Sequence, residues 1–189
     1  MKTIGEYSGQ LLNHFEAVYR PGDRHLAREF LTALGLYVED YSFSAPDATQ
    51  MLGIHFEPTD RDSTNNIIFL HQMSAPQAAF DQKMKVRLAE DRDLAEAYEA
   101  FLETIRKYPG GTPHFGIRYR SAEALDGTIE RLREVSKDLG DRVTVTEMPP
   151  YPTRPGMPDI RQVFVQTDVI STSPGGFGQT IELQVERAA

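Results

Sequence analysis

Residues 13–20 read NHFEAVYR and residues 113–120 read PHFGIRYR. Both stretches carry His-Phe near the start and Tyr-Arg at the end, led by His14 and His114. A chain of 189 residues that repeats itself in this way is constrained to fold as two like units.

The surroundings of each stretch strengthen the repeat. Residues 12–20 alternate apolar and polar, which predicts a strand, and Pro21-Gly22-Asp23 breaks it with Asp23 placed to cap a helix. Leu26, Ala27, Phe30, Leu31 and Leu34 then recur at helical spacing until Gly35 supplies a stop. Strand patterns follow at 36–43, 51–58 and 66–73. In the second half, 113–120 is the strand and Ser121 opens a helix that shows Leu125, Ile129, Leu132, Val135 and Leu139 on one face. Gly140 stops it, and strands are expected at 142–148, 162–170 and 179–186.

The fold class expected is therefore α+β, with two βαβββ units packed side by side at 1–75 and 111–189. Residues 76–110, rich in Ala, Leu and charge, read as a helical insertion or linker. The proline-rich residues 149–159 cannot form a central strand and read as a loop over a pocket mouth. A single unit has one apolar sheet face and too few residues to bury it well. Two units can curl their sheets into one enclosure, an eight-stranded incomplete barrel around one cavity, into which a pseudo-two-fold axis directs both His14 and His114.

Composition narrows the function. The net charge of −8, with basic residues scattered, argues against nucleic acid as the main partner. No stretch approaches the ~20 apolar residues that cross a bilayer. MKTIGEYSGQ lacks the apolar run of a secretory signal, and the chain has no cysteine, so a cytoplasmic location is expected. Any metal site must use His and carboxylate. GGFGQT at 175–180 precedes a strand and not a helix, so it reads as a tight turn and not a phosphate loop. Hydrolase and nucleotide-binding motifs are absent from the sequence.

Paired βαβββ units that open on x-His-Phe, with a final strand containing Ile181-Glu182-Leu183, resemble the vicinal oxygen chelate superfamily. That superfamily includes glyoxalase I, bleomycin resistance proteins and extradiol-type dioxygenases. Residues 163–187 also resemble the closing segment of the 4-hydroxyphenylpyruvate dioxygenase branch. The resemblance implies a divalent metal held by His14, His114 and Glu182, with Glu182 also catalytic. Such a 2-His-1-carboxylate set favours Fe2+, with Zn2+, Mn2+ or Ni2+ as alternatives. The fourth family position falls on 66–73, where His71 and Gln72 point to opposite faces and His71 is preferred.

The implied activity is a dioxygenase-like enzyme that chelates a small molecule through adjacent oxygens. A glyoxalase- or epimerase-type lyase or isomerase is the first alternative, and a non-catalytic ligand-binding resistance protein the second. The family builds its cavity within one chain or across a homodimer. His25 is expected in solvent, His55 on a strand face, and Tyr19 and Tyr119 in strand packing.

Overall fold

The structure, a computed structural model, describes residues 12–41, 51–59, 66–149, 159–172 and 178–186. The first half runs β1 (His14–Tyr19), α1 (Arg24–Ala33), β2 (Tyr37–Tyr41), β3 (Met51–His55) and β4 (Ile67–Gln72). Two helices follow, α2 (Ala75–Glu90) and α3 (Arg92–Lys107). The second half runs β5 (His114–Arg118), α4 (Ala122–Leu139), β6 (Val143–Glu147), β7 (Ile160–Thr167), the two-residue β8 (Ile170–Ser171) and β9 (Gln179–Glu186). The middle of the proline-rich stretch, 150–158, and residues 175–177 of the glycine-rich turn lie outside the described residues. Among the described residues no helix is long and apolar enough to cross a membrane.

The duplication extends to topology. The first sheet has the order β2-β3-β4-β1-β8 and the second β5-β9-β7-β6. In each, the opening strand lies parallel to the last strand of its unit, β1 with β4 and β5 with β9, and the remaining pairings are antiparallel. The registers also correspond: Phe15 faces Ile68, and Phe115 faces Ile181.

The eight-stranded incomplete barrel is not formed by the described residues. They make two mixed sheets of five and four strands that do not close on one another. The end of the outer edge of β1 is taken by β8, with Val18 opposite Ser171 and Tyr19 opposite Ile170, and no described pairing joins β1 to β5. The units meet through side chains instead, with the Phe15 and Phe115 rings 4.9 Å apart.

One face of both sheets shares a single core. Ala17, Tyr19, Leu52, Ile54, Ile68 and Leu70 from the first sheet cluster with Val163, Val165, Ile181, Leu183 and Val185 from the second. The helices seal it with Phe30, Leu31 and Leu34 from the first unit and Leu125, Ile129 and Leu132 from the second. Each large aliphatic side chain buried there contributes about 1.5–3 kcal/mol. Tyr119 spans the units by donating from its hydroxyl to the Leu34 carbonyl (2.7 Å), and Arg131 Nε donates to the Ala33 carbonyl (3.1 Å). Burial pushes the Tyr119 hydroxyl up to about 12. Tyr19 is fully buried, so the repeated tyrosines serve packing, as expected.

Helix starts differ from the sequence reading at one point. Ser121 caps α4 by accepting from the Ala124 amide (3.2 Å). Asp23 occupies the N-cap of α1 but makes no side-chain cap bond. Its carboxylate accepts instead from Arg142 Nη2 at 2.7 Å, because a charged partner competes with a backbone amide.

That contact belongs to a joint linking both units to the inserted helices. Arg142 Nε donates to Asp168 Oδ1 (2.6 Å), and Arg20 Nη1 donates to Asp168 Oδ2 and the Asp168 carbonyl (2.7 Å each). Arg20 Nε then donates to Asp81 Oδ2 on α2 (3.1 Å). Asp81 is the buried residue of α2, and α3 has none among those described, so the hairpin is tethered by charge and lies lightly on the body.

Candidate functional site

The face of the second sheet turned away from α4 is largely polar. Pairing sets His114, Gly116 and Arg118 beside Thr180, Glu182 and Gln184, and these beside Gln166, Phe164 and Gln162. Strand alternation keeps all nine on one face.

At its centre His114 meets Glu182. His114 opens β5 directly after a 3-10 turn at Pro109–Gly111, itself fastened by Thr112 Oγ1 donating to the Pro109 carbonyl (2.8 Å). His114 Nδ1 donates to the Thr112 carbonyl (2.7 Å), which fixes that nitrogen as an N–H. Nε2 then faces Glu182 Oε2 at 3.1 Å. Two lone pairs cannot face each other at that distance, so the contact requires a proton or a cation between them. The other oxygen of Glu182, Oε1, accepts from Gln162 Nε2 (2.5 Å), and the Phe164 ring stands edge-on to the imidazole at 5.7 Å. Glu182 is buried at 8% exposure although ionisable, which demands such partners.

His14 and His71 lie over the first sheet, in a different group. His14 Nδ1 donates to Asn13 Oδ1, its Nε2 is 3.9 Å from Glu16 Oε1, and its ring packs at 5.6 Å from that of Phe69. His71 Nε2 lies 3.6 Å from Glu16 Oε2. All three polar side chains are well exposed. The register explains why the halves differ. Glu16 faces Phe69, whereas Gly116, the counterpart of Glu16, faces Glu182. Phe69 is therefore the counterpart of Glu182, and His71 the counterpart of Gln184. Each unit holds one carboxylate at this row, on opposite strands.

Among the described residues no three His, Asp or Glu side chains gather closely enough to hold a metal ion. The structure brings His114 and Glu182 together and leaves His14 and His71 beside Glu16. The donors among the described residues thus do not fit a 2-His-1-carboxylate centre.

The chain matches no protein-family model and no curated protein. Among solved structures it is similar to a glyoxalase/bleomycin resistance protein/dioxygenase from Alicyclobacillus acidocaldarius, at 12% identity and a TM-score of 0.40, covering 97% of this chain and 96% of that one. It is also similar to a glyoxalase superfamily protein from Ralstonia eutropha JMP134, at 14% identity and a TM-score of 0.23, covering 93% of this chain and 72% of that one. Both structural neighbours are glyoxalase-superfamily proteins.

Two cavities lie beside strand neighbours of the His114–Glu182 pair, and neither is lined by the pair itself. One of about 410 Å³ is lined by His14, Phe15, Ile67, Phe115, Gly116 and Arg118, among others. Another of about 580 Å³ reaches Thr112, Pro113 and Thr180. Gly116 lines the first cavity and pairs with Glu182, and a Cβ there would lie 3.9 Å from Glu182 Oε2. Sequence reasoning missed Gln162, Thr112 and Phe164, all of which touch the pair. Their roles depend on β7–β9 register and on a carbonyl direction, neither of which leaves a motif. His55 was read as a strand-face residue, and it is one, fully buried, with Nε2 2.9 Å from Glu39 Oε1.

Proposed function

We propose that this chain is a glyoxalase-like lyase or isomerase that moves a proton beside the carbonyl of a small molecule with adjacent oxygens. The observation that carries the reading is the 3.1 Å contact between His114 Nε2 and Glu182 Oε2, with Nδ1 already committed to the Thr112 carbonyl. A pair of this kind is an acid and a base in one place.

The substrate carbonyl oxygen takes the Nε2–H hydrogen bond from His114, which frees Glu182 Oε2. Glu182 then removes the proton from the adjacent carbon. The C–H electron pair moves into a carbon–carbon double bond and the carbonyl π pair onto oxygen, where the imidazolium N–H stabilises the enolate. Return of the proton to the other face of the same carbon completes an epimerisation. Its return to the former carbonyl carbon completes an isomerisation when the substrate hydroxyl proton also passes, through His114 Nε2, to the enolate oxygen, so that the second oxygen becomes the carbonyl. Gln162 holds the second carboxylate oxygen so that Oε2 stays aimed at the reacting carbon. The paired βαβββ topology supports the vicinal oxygen chelate reading. The dioxygenase form of that reading needs a third ligand beside His114 and Glu182, which His14 does not supply from its place beside Glu16.

Exchange of the carbon-bound proton in deuterium oxide, followed by NMR on α-hydroxy ketones and hemithioacetals, tests the proposal. Glu182→Gln is expected to slow exchange by about 10³-fold and His114→Ala by about 10²-fold. Exchange at the wild-type rate in Glu182→Gln would sink it, and tight binding with no exchange in the wild type would favour a ligand-binding protein. Gly116→Val offers a subtler check. A β-branched residue suits the strand, and its new Cβ would lie 3.4 Å from Gln184 Nε2 and 3.9 Å from both the Glu182 carbonyl oxygen and Glu182 Oε2. Folding should be kept, as read by thermal melting, while exchange falls at least about tenfold because the carboxylate is covered.

A further inference from the structure

We infer that the cavity between α3 and the second sheet binds a flat aromatic molecule carrying a carbonyl or carboxylate oxygen. As the substrate class of the His114–Glu182 chemistry this rests on the proposed function, although the binding itself can be measured without turnover.

The cavity, about 580 Å³, lies in the range that encloses a small organic ligand. Its two walls differ in character. Tyr98, Phe101, Leu102 and Ile105 of α3 form one wall. They recur at helical spacing on one side, the signature of a helix built to cover something apolar. Yet no described residue of α3 is buried, and Phe101 is 47% exposed. Tyr98, Leu102 and Ile105 are only half-buried, so the described residues cover the apolar stripe in part.

The opposite wall is polar. Thr144 pairs with Gln166 and Gln166 with Thr180, so the three form a row across β6, β7 and β9, and all three line the cavity. Gln166 Nε2 is buried and has no hydrogen-bond partner among the described residues. A buried amide donor left unmatched in a lined cavity calls for an acceptor oxygen. The lining charges come close to balance, since Arg142 is tied to Asp168 and Arg106 to Glu103 (3.2 Å). The ligand is therefore recognised by shape and hydrogen bonding, and not by multiple charges. Its flat face lies on Phe101 and Tyr98, and its oxygen lies at Gln166. Thr180 and Glu182 share a strand face two residues apart, about 7 Å, so a molecule anchored at Gln166 extends toward the proton-transfer pair.

Titration calorimetry with 2-naphthoate, and with naphthalene as the oxygen-free control, tests this. Wild type should bind 2-naphthoate at least tenfold more tightly than naphthalene. Gln166→Leu should weaken 2-naphthoate about tenfold and leave naphthalene unchanged, and Phe101→Ser, at an exposed position, should weaken both. Equal 2-naphthoate affinity in wild type and Gln166→Leu, or no binding of 2-naphthoate by wild type at about 1 mM, would overturn the inference. Naphthoate binding by a protein that exchanges no carbon-bound proton would sink the proposed reaction and leave the cavity assignment standing. Proton exchange without naphthoate binding would do the reverse.

Discussion

Replacing Gly178 with alanine should cost about 3 kcal/mol or more and lower the melting temperature by on the order of 10 °C. Two effects add. Gly178 has φ +90°, which an L side chain adopts only at a cost of about 1 kcal/mol. A Cβ there would also lie 2.3 Å from the Thr167 carbonyl oxygen, 3.1 Å from its carbon and 3.4 Å from the Asp168 Cα. These are backbone atoms, and they cannot yield as a flexible side chain would. Relief means parting the end of β7 from β9, where Thr167 pairs with Gln179, and shifting Asp168 in the charged joint. Gly22→Ala is the internal control. It has the same φ of +90° but nothing within 4 Å of the added methyl, so it carries the conformational cost alone. Calorimetric melting of both variants separates the terms, and equal losses would show that the Thr167 clash is relieved without cost.

Asp168→Asn should destabilise the protein by about 2 kcal/mol at neutral pH, with the deficit disappearing in acid. The figure is kept low because the carboxylate is 38% exposed and partly screened. Burial pushes the Asp168 carboxyl up. The hydrogen bond from Arg142, the charges of Arg20 and Arg142 and the bond from Arg20 together outweigh that, and hold it below the ordinary aspartate range. A carboxyl whose folded value lies below its unfolded one adds stability that is complete above about pH 4 and is lost as pH falls through the folded value. Wild type should therefore weaken in acid faster than Asp168→Asn, and their urea midpoints should converge once the pH falls below the folded value. A gap that stays constant with pH would mean that the asparagine acts through shape and not through charge.

These two sites show where the sequence is informative and where it is silent. The duplicated order of elements is legible because amphipathic spacing, the Gly35 and Gly140 stops and the His-Phe openings are all local signals. The stripe Leu125, Ile129, Leu132 and Leu139 could be read by counting, and each of these residues is buried. The short strand added at the end of β1 could not. Ile170–Ser171 is two residues long, and only its partner β1 makes it a strand. Asp23 looked like a cap, but Arg142 arrives from more than a hundred residues away. At the site, His114 and Glu182 could be named singly. That Glu182 faces Gly116 while its counterpart is Phe69 depends on register, which pattern alone does not fix. The unmatched nitrogen of Gln166 carries no sequence signature at all.

The borrowed strand at Ile170–Ser171 has a consequence during synthesis. The first half emerges from the ribosome with β1 as an unprotected margin, open to pairing with any passing extended segment. Its Val18–Tyr19 end is covered only once the nascent chain has grown past Ser171. The two repeats are thus not independent beads: the earlier one takes its outermost strand from the later.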